Sequence, residues 1–273
     1  IEEIRKKLKI MPSNSVNDAG QILEIGHKAA KIILRDYIKK PIEKLGVKFD
    51  CWFSEKTLYD TNKVDKVLEF LKNKGLIYQK DGAWWFRSSK YGDEKDRVVI
   101  KKDGQKTYLA SDLAYHQDKF KRGFDKVINV WGADHYGDIA RLKAGVEALG
   151  YKGKLEIILL QFVRMMVGDS QIKMSKRAGT YVTLEELIDE VGLDAARFFF
   201  LMNKAETHMD FDLDLAKERS EKNPVYYVQY AHARICSIMK NTQKVIRKKD
   251  SLEKGVIESR EEYNLIKEIL ILP

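Results

Sequence analysis

The stretch TYLASDLAYHQDKFKRGFDKVINVWGADHYGDIARLKAGVEALGYKGKLEIILLQ (107–161) decides the fold, because strand-like and helix-like runs alternate along it. The strand-like runs, rich in β-branched, aromatic and aliphatic residues, are TYLA (107–110), VINVW (127–131) and LEIILLQ (155–161). The apolar composition of the last two predicts strands that are buried on both faces. The first helix between them is capped by Ser111 and runs to about Lys121, and the second ends before Gly150. Strands that alternate with helices over short links predict a parallel sheet, which binds ligands at the carboxyl ends of its strands.

The segments on either side of this stretch predict a mixed α/β chain. Upstream we predict one long helix (16–40) and then a short strand, KFDCWF (48–53). A helix (64–71) that ends before Gly75 and a small antiparallel insertion (76–101) follow. In the insertion, LIYQ (76–79), AWWFR (83–87) and RVVIK (97–101) are the strands. Downstream, Thr183-x-x-Glu186 is a capping box that begins a helix ended by Gly192, and further helices are predicted at 193–203, 224–245 and 255–270.

Composition places the chain among ordinary globular proteins. Its 273 residues carry a formal net charge of +9, which favours a polyanionic partner such as nucleic acid. Cys51 and Cys236 lie far apart and neither belongs to a metal-ligand motif, so we expect no zinc site, no disulfide and a reducing cytoplasm. The apolar runs are too short for a membrane span. The chain begins among charged residues and stops after an apolar helical pattern, so we interpret both ends as cuts.

The pentapeptide Lys173-Met174-Ser175-Lys176-Arg177 lies between an apolar run and Gly179-Thr180. Two ammonium groups on one loop can neutralise the charge that develops when pyrophosphate leaves a triphosphate. The alternative is a solvated basic turn, which is what most clusters of lysine and arginine are. All five residues in this context indicate phosphate chemistry more strongly than a pair of lysines would.

Four ordered blocks carry a family resemblance, which runs from about residue 49 to 240. They are WFRSSKYGDEKDRVVIKKDGQKTYLASDLAYHQDKF (85–120), WGADHYGDIARLKAG (131–145), KMSKRAGTYVTLEELIDEVGLDAARFFFL (173–201) and MDFDLDLAKERSEKNPVYYVQYAHARI (209–235). KMSKR is similar to the second signature of class I aminoacyl-tRNA synthetases, and together the blocks resemble arginyl-tRNA synthetases of bacterial type. The resemblance implies part of a Rossmann-like parallel sheet followed by an all-α helical region.

The resemblance also divides the chain. It implies a helical connecting segment (1–48) and the C-terminal half of a Rossmann-like catalytic domain with a small β insertion (49–170). A loop with a helical stem follows (171–222), and then the start of a helical anticodon-binding domain (223–273). The sequence given does not contain the family's first signature, His-Ile-Gly-His. The similar stretch Ile25-Gly26-His27 is not interpreted as that signature, because it lies within a helical pattern without a preceding strand. We expect the first half of the nucleotide-binding fold to lie upstream of Ile1.

The resemblance assigns an arginine site to Tyr108, Asp112 and His135. An aspartate facing a guanidinium can form two parallel hydrogen bonds. From position alone, Asp112 is better explained as a helix-start residue favoured by the helix dipole, and Tyr108 as a half-buried strand tyrosine. Only the resemblance reverses this order.

The resemblance assigns ATP contacts to Gly132, Asp134, Met174 and Ser175, and stabilisation of the departing pyrophosphate to Lys173 and Lys176. Asp134 can instead cap a helix that begins at His135, and we leave both interpretations open.

Other polar residues have structural interpretations. Arg197 is expected to pair with Asp194 within one helix. Asp210, Asp212 and Asp214 lack the glycine and glutamate of a calcium loop and are expected at a helix entry, so no protein-bound metal is predicted.

The helix at 224–240 resembles the first helix of the anticodon-binding domain. Tyr230, His232 and Arg234 on it are candidate tRNA contacts. Packing of the aromatic side chains and a solvated basic face are the alternatives.

The resemblance therefore implies a piece of a cytoplasmic, monomeric enzyme that uses ATP, as its Mg²⁺ complex, to attach L-arginine to tRNA(Arg) and that binds no membrane. Without the upstream half of the nucleotide-binding fold, this piece alone is expected to be inactive. Two alternatives remain. One is another class I aminoacyl-tRNA synthetase, whose site does not require a carboxylate for a guanidinium. The other is a non-catalytic tRNA-binding module.

Overall fold

A computed structural model of the chain describes residues 2–8, 19–168, 170–172, 182–242 and 259–271. These residues form two compact units, Ile1–Lys217 and Glu218–Pro273. The finer division into four segments remains a prediction. No helix among the described residues is long and apolar enough to cross a membrane.

The described residues contain twelve α-helices and eight β-strands. The helices are α1 (Glu2–Lys7), α2 (Ala19–Ile32), α3 (Lys40–Lys44), α4 (Lys56–Asp60), α5 (Lys63–Asn73), α6 (Tyr108–Lys121), α7 (Ile139–Ala148), α8 (Leu184–Val191), α9 (Leu193–Leu201), α10 (Leu213–Lys217), α11 (Pro224–Thr242) and α12 (Arg260–Ile271). The strands are β1 (Ile77–Lys80), β2 (Ala83–Phe86), β3 (Arg97–Ile100), β4 (Val127–Gly132), β5 (Leu155–Leu160), β6 (Val163–Val167), β7 (Ser170–Gln171) and β8 (Met209–Asp212).

The long upstream helix is confirmed over its described part, and a π-helix at Ile33–Lys39 joins α2 to α3. The π-helix lies immediately before Pro41. Proline cannot donate to the carbonyl four residues earlier and its ring crowds that carbonyl, which accounts for the wider turns there. His27 lies exposed within α2, so Ile25-Gly26-His27 is part of a helix, as predicted.

The strand predicted at KFDCWF (48–53) is wrong, because this segment is irregular. Phe49 and Trp52 contact each other edge to face, with ring centroids 5.0 Å apart, and the Lys39 ammonium lies 4.8 Å from the Trp52 ring centroid. Aromatic residues favour strands when they pack on a pleated surface, and here they pack on each other instead.

The antiparallel insertion is confirmed as a three-stranded sheet in the order β1-β2-β3. Asp81 and Gly82 both have positive φ, 52° and 77°, which is the backbone that a two-residue hairpin turn requires. The sheet contributes the buried side chains of Phe86 and Val99 to a core shared with α5, α6 and α7.

The predicted parallel pairing is confirmed for β4 and β5, which α7 connects. The expectation that both strands are fully buried is wrong, because β4 buries only one face. Val127 and Asn129 are buried, whereas Ile128 and Val130 are 51% and 58% exposed. Helices α6 and α7 contact these strands, and the carboxyl end of β4 lies beside the cavity described below.

The last part of the first unit is a mixed sheet in the order β7-β6-β8, with β6 and β8 parallel. The predicted capping box is present, since the Thr183 hydroxyl accepts from the Glu186 N–H while the Glu186 carboxylate accepts from the Thr183 N–H. Helices α8, α9 and α10 pack together beside this sheet. Arg197 of α9 donates to the Leu45 carbonyl oxygen at 2.6 Å.

Of the three aspartates expected at a helix entry, Asp214 lies in the first turn of α10 and Asp212 immediately precedes that helix, whereas Asp210 lies within β8. Asp210 forms a bidentate ion pair with Arg164 on the adjacent strand, and Asp212 accepts from the Leu215 N–H at the start of α10. Across the described residues, no group of three or more His, Cys, Asp or Glu side chains is arranged to hold a metal ion.

Candidate active site

A cavity of about 580 Å³ lies in the first unit, between the start of α6 and the end of β4. One part of its lining is apolar or aromatic: Phe53, Leu58, Leu109, Tyr115, Trp131 and Leu142. The other part is polar: Glu55, Tyr108, Ser111, Asp112, His135, Asp138 and Arg141. The cavity therefore brings together Tyr108, Asp112 and His135, which the sequence placed in one site from two separate segments.

Tyr108 and Asp112 lie on the first turns of α6. The expectation of a strand at 107–110 is wrong, and so is Ser111 as a cap, because the helix begins at Tyr108 and Thr107 occupies the N-cap position. Residues four apart share a face of a helix, so Tyr108 and Asp112 both project toward the cavity. Tyr108 is 86% exposed, which also excludes the half-buried strand tyrosine.

The electrostatic environment of Asp112 is unfavourable for its charge. Asp112 is exposed on the cavity surface, yet neighbouring protein atoms displace part of the water around its carboxyl. This desolvation, followed by the negative charges of Glu55 and Asp138, raises the pKa of the Asp112 carboxyl from 3.8 to about 6, against the opposing influence of Lys119 and His135. A carboxylate held in this way is stabilised by a cation that enters the cavity.

The end of β4 leads into a 3₁₀ segment, Ala133–Asp138, before α7 begins at Ile139. Asp134 therefore lies inside this segment, whose N-cap is Gly132, and does not cap a helix that begins at His135. A Cβ on Gly132 would lie 2.7 Å from the Asp134 Oδ1, so a larger residue at this position would require the exposed Asp134 carboxylate to turn aside.

His135 is oriented by Asp138. Its Nδ1 lies 3.1 Å from the Asp138 Oδ2, and this hydrogen bond, with the charge of Asp134, raises the pKa of the imidazole. The Asp138 Oδ1 in turn accepts from Arg141 Nη1 at 2.9 Å. The Trp131 ring lies 5.9 Å from the imidazole, centroid to centroid. The cavity wall formed by β4 and the 3₁₀ segment is thus a connected polar and aromatic surface.

Two family models match the chain. Residues 14–238 match the family described as tRNA synthetases class I (R), catalytic domain. The chain belongs to the class I arginyl-tRNA synthetase family. Residues 228–273 match a second family, the DALR anticodon binding domain.

Individual members of the arginyl-tRNA synthetase family agree with this assignment. The chain is 55% identical over 234 residues to the arginine–tRNA ligase of Bacillus subtilis, a match that covers 85% of this chain and 42% of that protein. It is 50% identical over 240 residues to the arginine–tRNA ligase of Carboxydothermus hydrogenoformans, covering 86% of this chain and 43% of that protein. The chain therefore spans about two fifths of the length of these curated relatives.

Solved structures of the family share the fold. A crystal structure assigned as an arginyl-tRNA synthetase from Campylobacter jejuni superposes with a TM-score of 0.82 at 37% identity, covering 98% of this chain and 58% of that one. Thermus thermophilus arginyl-tRNA synthetase superposes with a TM-score of 0.61 at 19% identity, over 82% of this chain and 49% of that one. The second likeness concerns the fold alone.

The sequence did not single out Glu55, Asp138 or Arg141, although all three line the cavity of this family member. Asp138 has a recognisable signal, since it lies three residues after His135 and three before Arg141, the spacing of neighbours on one helical face. Glu55 has no such signal, because it lies immediately before α4 and just after the segment (48–53) for which the sequence predicts a strand.

The remaining predicted site residues lie elsewhere. Lys173, Met174, Ser175 and Lys176 fall outside the described residues. Tyr230, His232 and Arg234 are exposed on α11 of the second unit. The Arg234 Nη1 lies 3.3 Å from the Tyr230 hydroxyl, and the His232 Nε2 lies 3.6 Å from the Cys236 Sγ. Their roles remain predictions.

Proposed function

We propose that the full-length protein to which this chain belongs attaches L-arginine to tRNA(Arg) in two steps. In the first step a carboxylate oxygen of arginine attacks the α-phosphorus of ATP, the bond to the β-phosphate oxygen breaks, and pyrophosphate leaves arginyl-adenylate. In the second step the 2′-hydroxyl of the terminal adenosine of the tRNA attacks the arginyl carbonyl carbon. The hydroxyl loses its proton, AMP leaves, and the arginyl ester remains on the tRNA.

The observation that carries the proposal is the anionic cavity with aromatic walls. We assign the arginine guanidinium to Asp112, whose carboxylate can accept two parallel N–H bonds, and a further contact to the Tyr108 hydroxyl. Glu55 and Asp138 line the same cavity, so the site holds more negative charge than its own residues balance. The side-chain methylenes of arginine fit against Tyr115 and Trp131. We assign His135 to selection of the arginyl group.

We assign the ATP side of the site to the strand end and the lysine-bearing loop. By family resemblance, Gly132 and Asp134 contact ATP, and the exposed Asp134 carboxylate at the strand end is assigned to the ribose. By family resemblance, Met174 and Ser175 contact ATP, and the ammonium groups of Lys173 and Lys176 neutralise the charge on the departing pyrophosphate. Mg²⁺ enters with ATP and supplies further charge neutralisation on the phosphates.

The tRNA is assigned to the second unit. The match to an anticodon-binding family supports this assignment, as do the exposed Tyr230, His232 and Arg234 on α11. The net charge of +9 favours a polyanion. We further propose that the enzyme acts as a monomer in the cytoplasm. Cys51 and Cys236, both free and exposed, are consistent with a reducing compartment.

The test is substrate selectivity in the full-length protein with tRNA present. Asp112→Ala removes the acceptor for the guanidinium, and loss of a buried charge-assisted pair costs roughly 3 kcal/mol, or about a hundredfold. We expect kcat/KM for arginine in pyrophosphate exchange to fall about a hundredfold while the KM for ATP changes less than about threefold. Asp118→Asn, a buried acidic position on the same helix that pairs with Lys63, is the matched control.

The two alternatives predict other results. Equal losses for arginine and ATP would contradict the assignment of Asp112 and favour another class I synthetase. A protein that binds tRNA with steep salt dependence but shows no exchange under any condition would be a non-catalytic module.

A further inference from the structure

Behind the cavity, three buried or half-buried polar side chains of α6 and β4 form a chain of hydrogen bonds that ends at Asp112. His116 is 3% exposed and Asn129 is 6% exposed. The His116 Nδ1 lies 2.7 Å from the main-chain oxygen of Asp112, and its Nε2 lies 2.9 Å from the Asn129 Nδ2. The Asn129 Oδ1 lies 3.2 Å from the Lys119 Nζ. None of these three residues lines the cavity.

The acceptors and donors in this chain fix its direction. A carbonyl oxygen can only accept a hydrogen bond, so the His116 Nδ1 carries the proton and donates a hydrogen bond to the main-chain oxygen of Asp112. The Nε2 of a neutral imidazole is then an acceptor and receives the N–H of the Asn129 amide. This orientation leaves the Asn129 Oδ1 to accept from the Lys119 ammonium. Desolvation and the charge of Lys119 lower the pKa of His116 to about 4, which keeps the ring neutral at physiological pH.

The bond to Asp112 is additional to the helix itself. In an α-helix the carbonyl of residue 112 already accepts the main-chain N–H of residue 116. The imidazole adds a second donor to that carbonyl and connects it to a residue of another element. Asn129 belongs to β4, and two residues later the same face of the strand presents Trp131 to the cavity. These hydrogen bonds thus connect the cavity wall that carries Asp112 to the cavity wall that carries Trp131 and His135.

Lys119 connects the other end of this chain to the cavity. Its ammonium lies 4.2 Å from the centroid of the Tyr115 ring, which lines the cavity and stacks on Phe53. Burial and Arg122 lower the pKa of Lys119 to about 8, so it remains mostly charged at neutral pH. The ammonium is one of two cationic groups, with His135, that act on Asp112.

From this geometry we infer that His116, held by Asn129 and Lys119, is a positioning residue that sets the place of Asp112 relative to Trp131 and His135. The inference rests on the proposed function, since it concerns how the guanidinium site is held. An acceptor of two parallel hydrogen bonds must be held within about 0.5 Å of its productive position. The inference adds a residue that touches no substrate but is required for arginine affinity.

The experiment compares steady-state constants of variants of the full-length protein. His116→Leu replaces the imidazole by an apolar side chain of similar size and removes both ring hydrogen bonds. We expect the KM for arginine to rise about tenfold, which corresponds to about 1.4 kcal/mol, while kcat and the KM for ATP change less than about threefold. Asn129→Leu is expected to give the same pattern. The control Asp118→Asn loses a buried ion pair on the same helix and should lower Tm while leaving the KM for arginine unchanged.

A conservative variant separates positioning from folding. His116→Asn retains a donor at the place of Nδ1 and gives up the link to Asn129, so we expect an intermediate KM for arginine, about threefold above wild type. This variant decides the question if His116→Leu does not fold. A folded His116→Asn or His116→Leu protein with an unchanged KM for arginine refutes the inference, as does a rise in the KM for arginine that Asp118→Asn reproduces.

The failure of this inference can be told apart from failure of the proposed function. If Asp112→Ala raises the KM for arginine and His116→Leu does not, Asp112 binds arginine but the hydrogen-bond chain does not position it. If neither substitution affects arginine selectively, the assignment of the cavity to arginine itself is wrong.

Discussion

Acidification should weaken arginine binding to the full-length protein, because the proposed partner of the guanidinium titrates near neutrality. The pKa of Asp112 is raised from 3.8 to about 6, so the carboxylate is about 90% ionised at pH 7 and about 10% ionised at pH 5. If only the ionised form binds the guanidinium, the dissociation constant rises about tenfold between these two pH values. An aspartate at its ordinary pKa would change the constant by less than about 10% over the same range.

His135 acts in the same direction. Asp138 and Asp134 raise its pKa, so the imidazole gains its proton early in the same titration and places a second cation in the cavity. The measurement is isothermal titration calorimetry with arginine at constant ionic strength from about pH 8 to pH 5. In Asp112→Asn protein, binding should be weak and the remaining dependence should be that of His135 alone. A wild-type constant that changes less than about threefold from pH 7 to pH 5, or an equal slope in Asp112→Asn, would refute the reasoning.

Three further predictions concern stability. Gly145→Ala should lower the free energy of unfolding in urea by about 1–3 kcal/mol, since the added Cβ would lie 2.0 Å from Leu113 Cδ2 where α7 crosses α6. Gly137→Ala is the control and should leave that free energy unchanged, because its added Cβ meets no atom within 4 Å. Thr183→Ala should cost about 1 kcal/mol in the same assay through loss of the α8 cap. Asp112→Asn should raise Tm at about pH 8 and lose that advantage near pH 4, because a raised folded-state pKa means that the carboxylate destabilises the fold only when ionised.

Local signals in the sequence were sufficient for the elements that short-range chemistry determines. The Asp81-Gly82 turn fixed the β1–β2 hairpin because both residues adopt positive φ, and Thr183 with Glu186 formed the expected capping box. The grouping of Tyr108, Asp112 and His135 in one site follows from the family resemblance and not from their spacing, which alone favours structural interpretations of Tyr108 and Asp112.

The errors arose where packing overrides local preference. TYLA (107–110) has strand-forming residues, yet Leu109 and Ala110 are buried together with Leu113 and Ala114, one turn later, so the helical periodicity was present and outweighed by β propensity. KFDCWF (48–53) was assigned from aromatic content alone. Burial on both faces of β4 was inferred from its apolar composition, although the buried Asn129 and exposed Val130 show the alternation of a strand covered on one face.

The sequence does not indicate that Glu55 lines the cavity or that hydrogen bonds link Lys119 to His116 through Asn129, because both depend on tertiary contacts. Glu55 reaches the cavity from a segment with no regular structure, and His116 acquires its role only when α6 lies against Asn129 of β4. A histidine within an amphipathic helix gives no sign of which strand it will contact.

The distribution of charge separates the two kinds of substrate that the proposed function requires. The chain as a whole carries +9, which favours a polyanion such as tRNA. The cavity reverses that sign locally, with Glu55, Asp112 and Asp138 against His135 and Arg141. Because salt screens charges over roughly 8–10 Å, the remote basic residues contribute little at the cavity, and the adjacent carboxylates determine what enters it. Desolvation is the first cause of the raised pKa of Asp112, and the charges of Glu55 and Asp138 add to it, so the same carboxylates that favour a cation in the cavity also disfavour the ionised form of Asp112 while the cavity is empty.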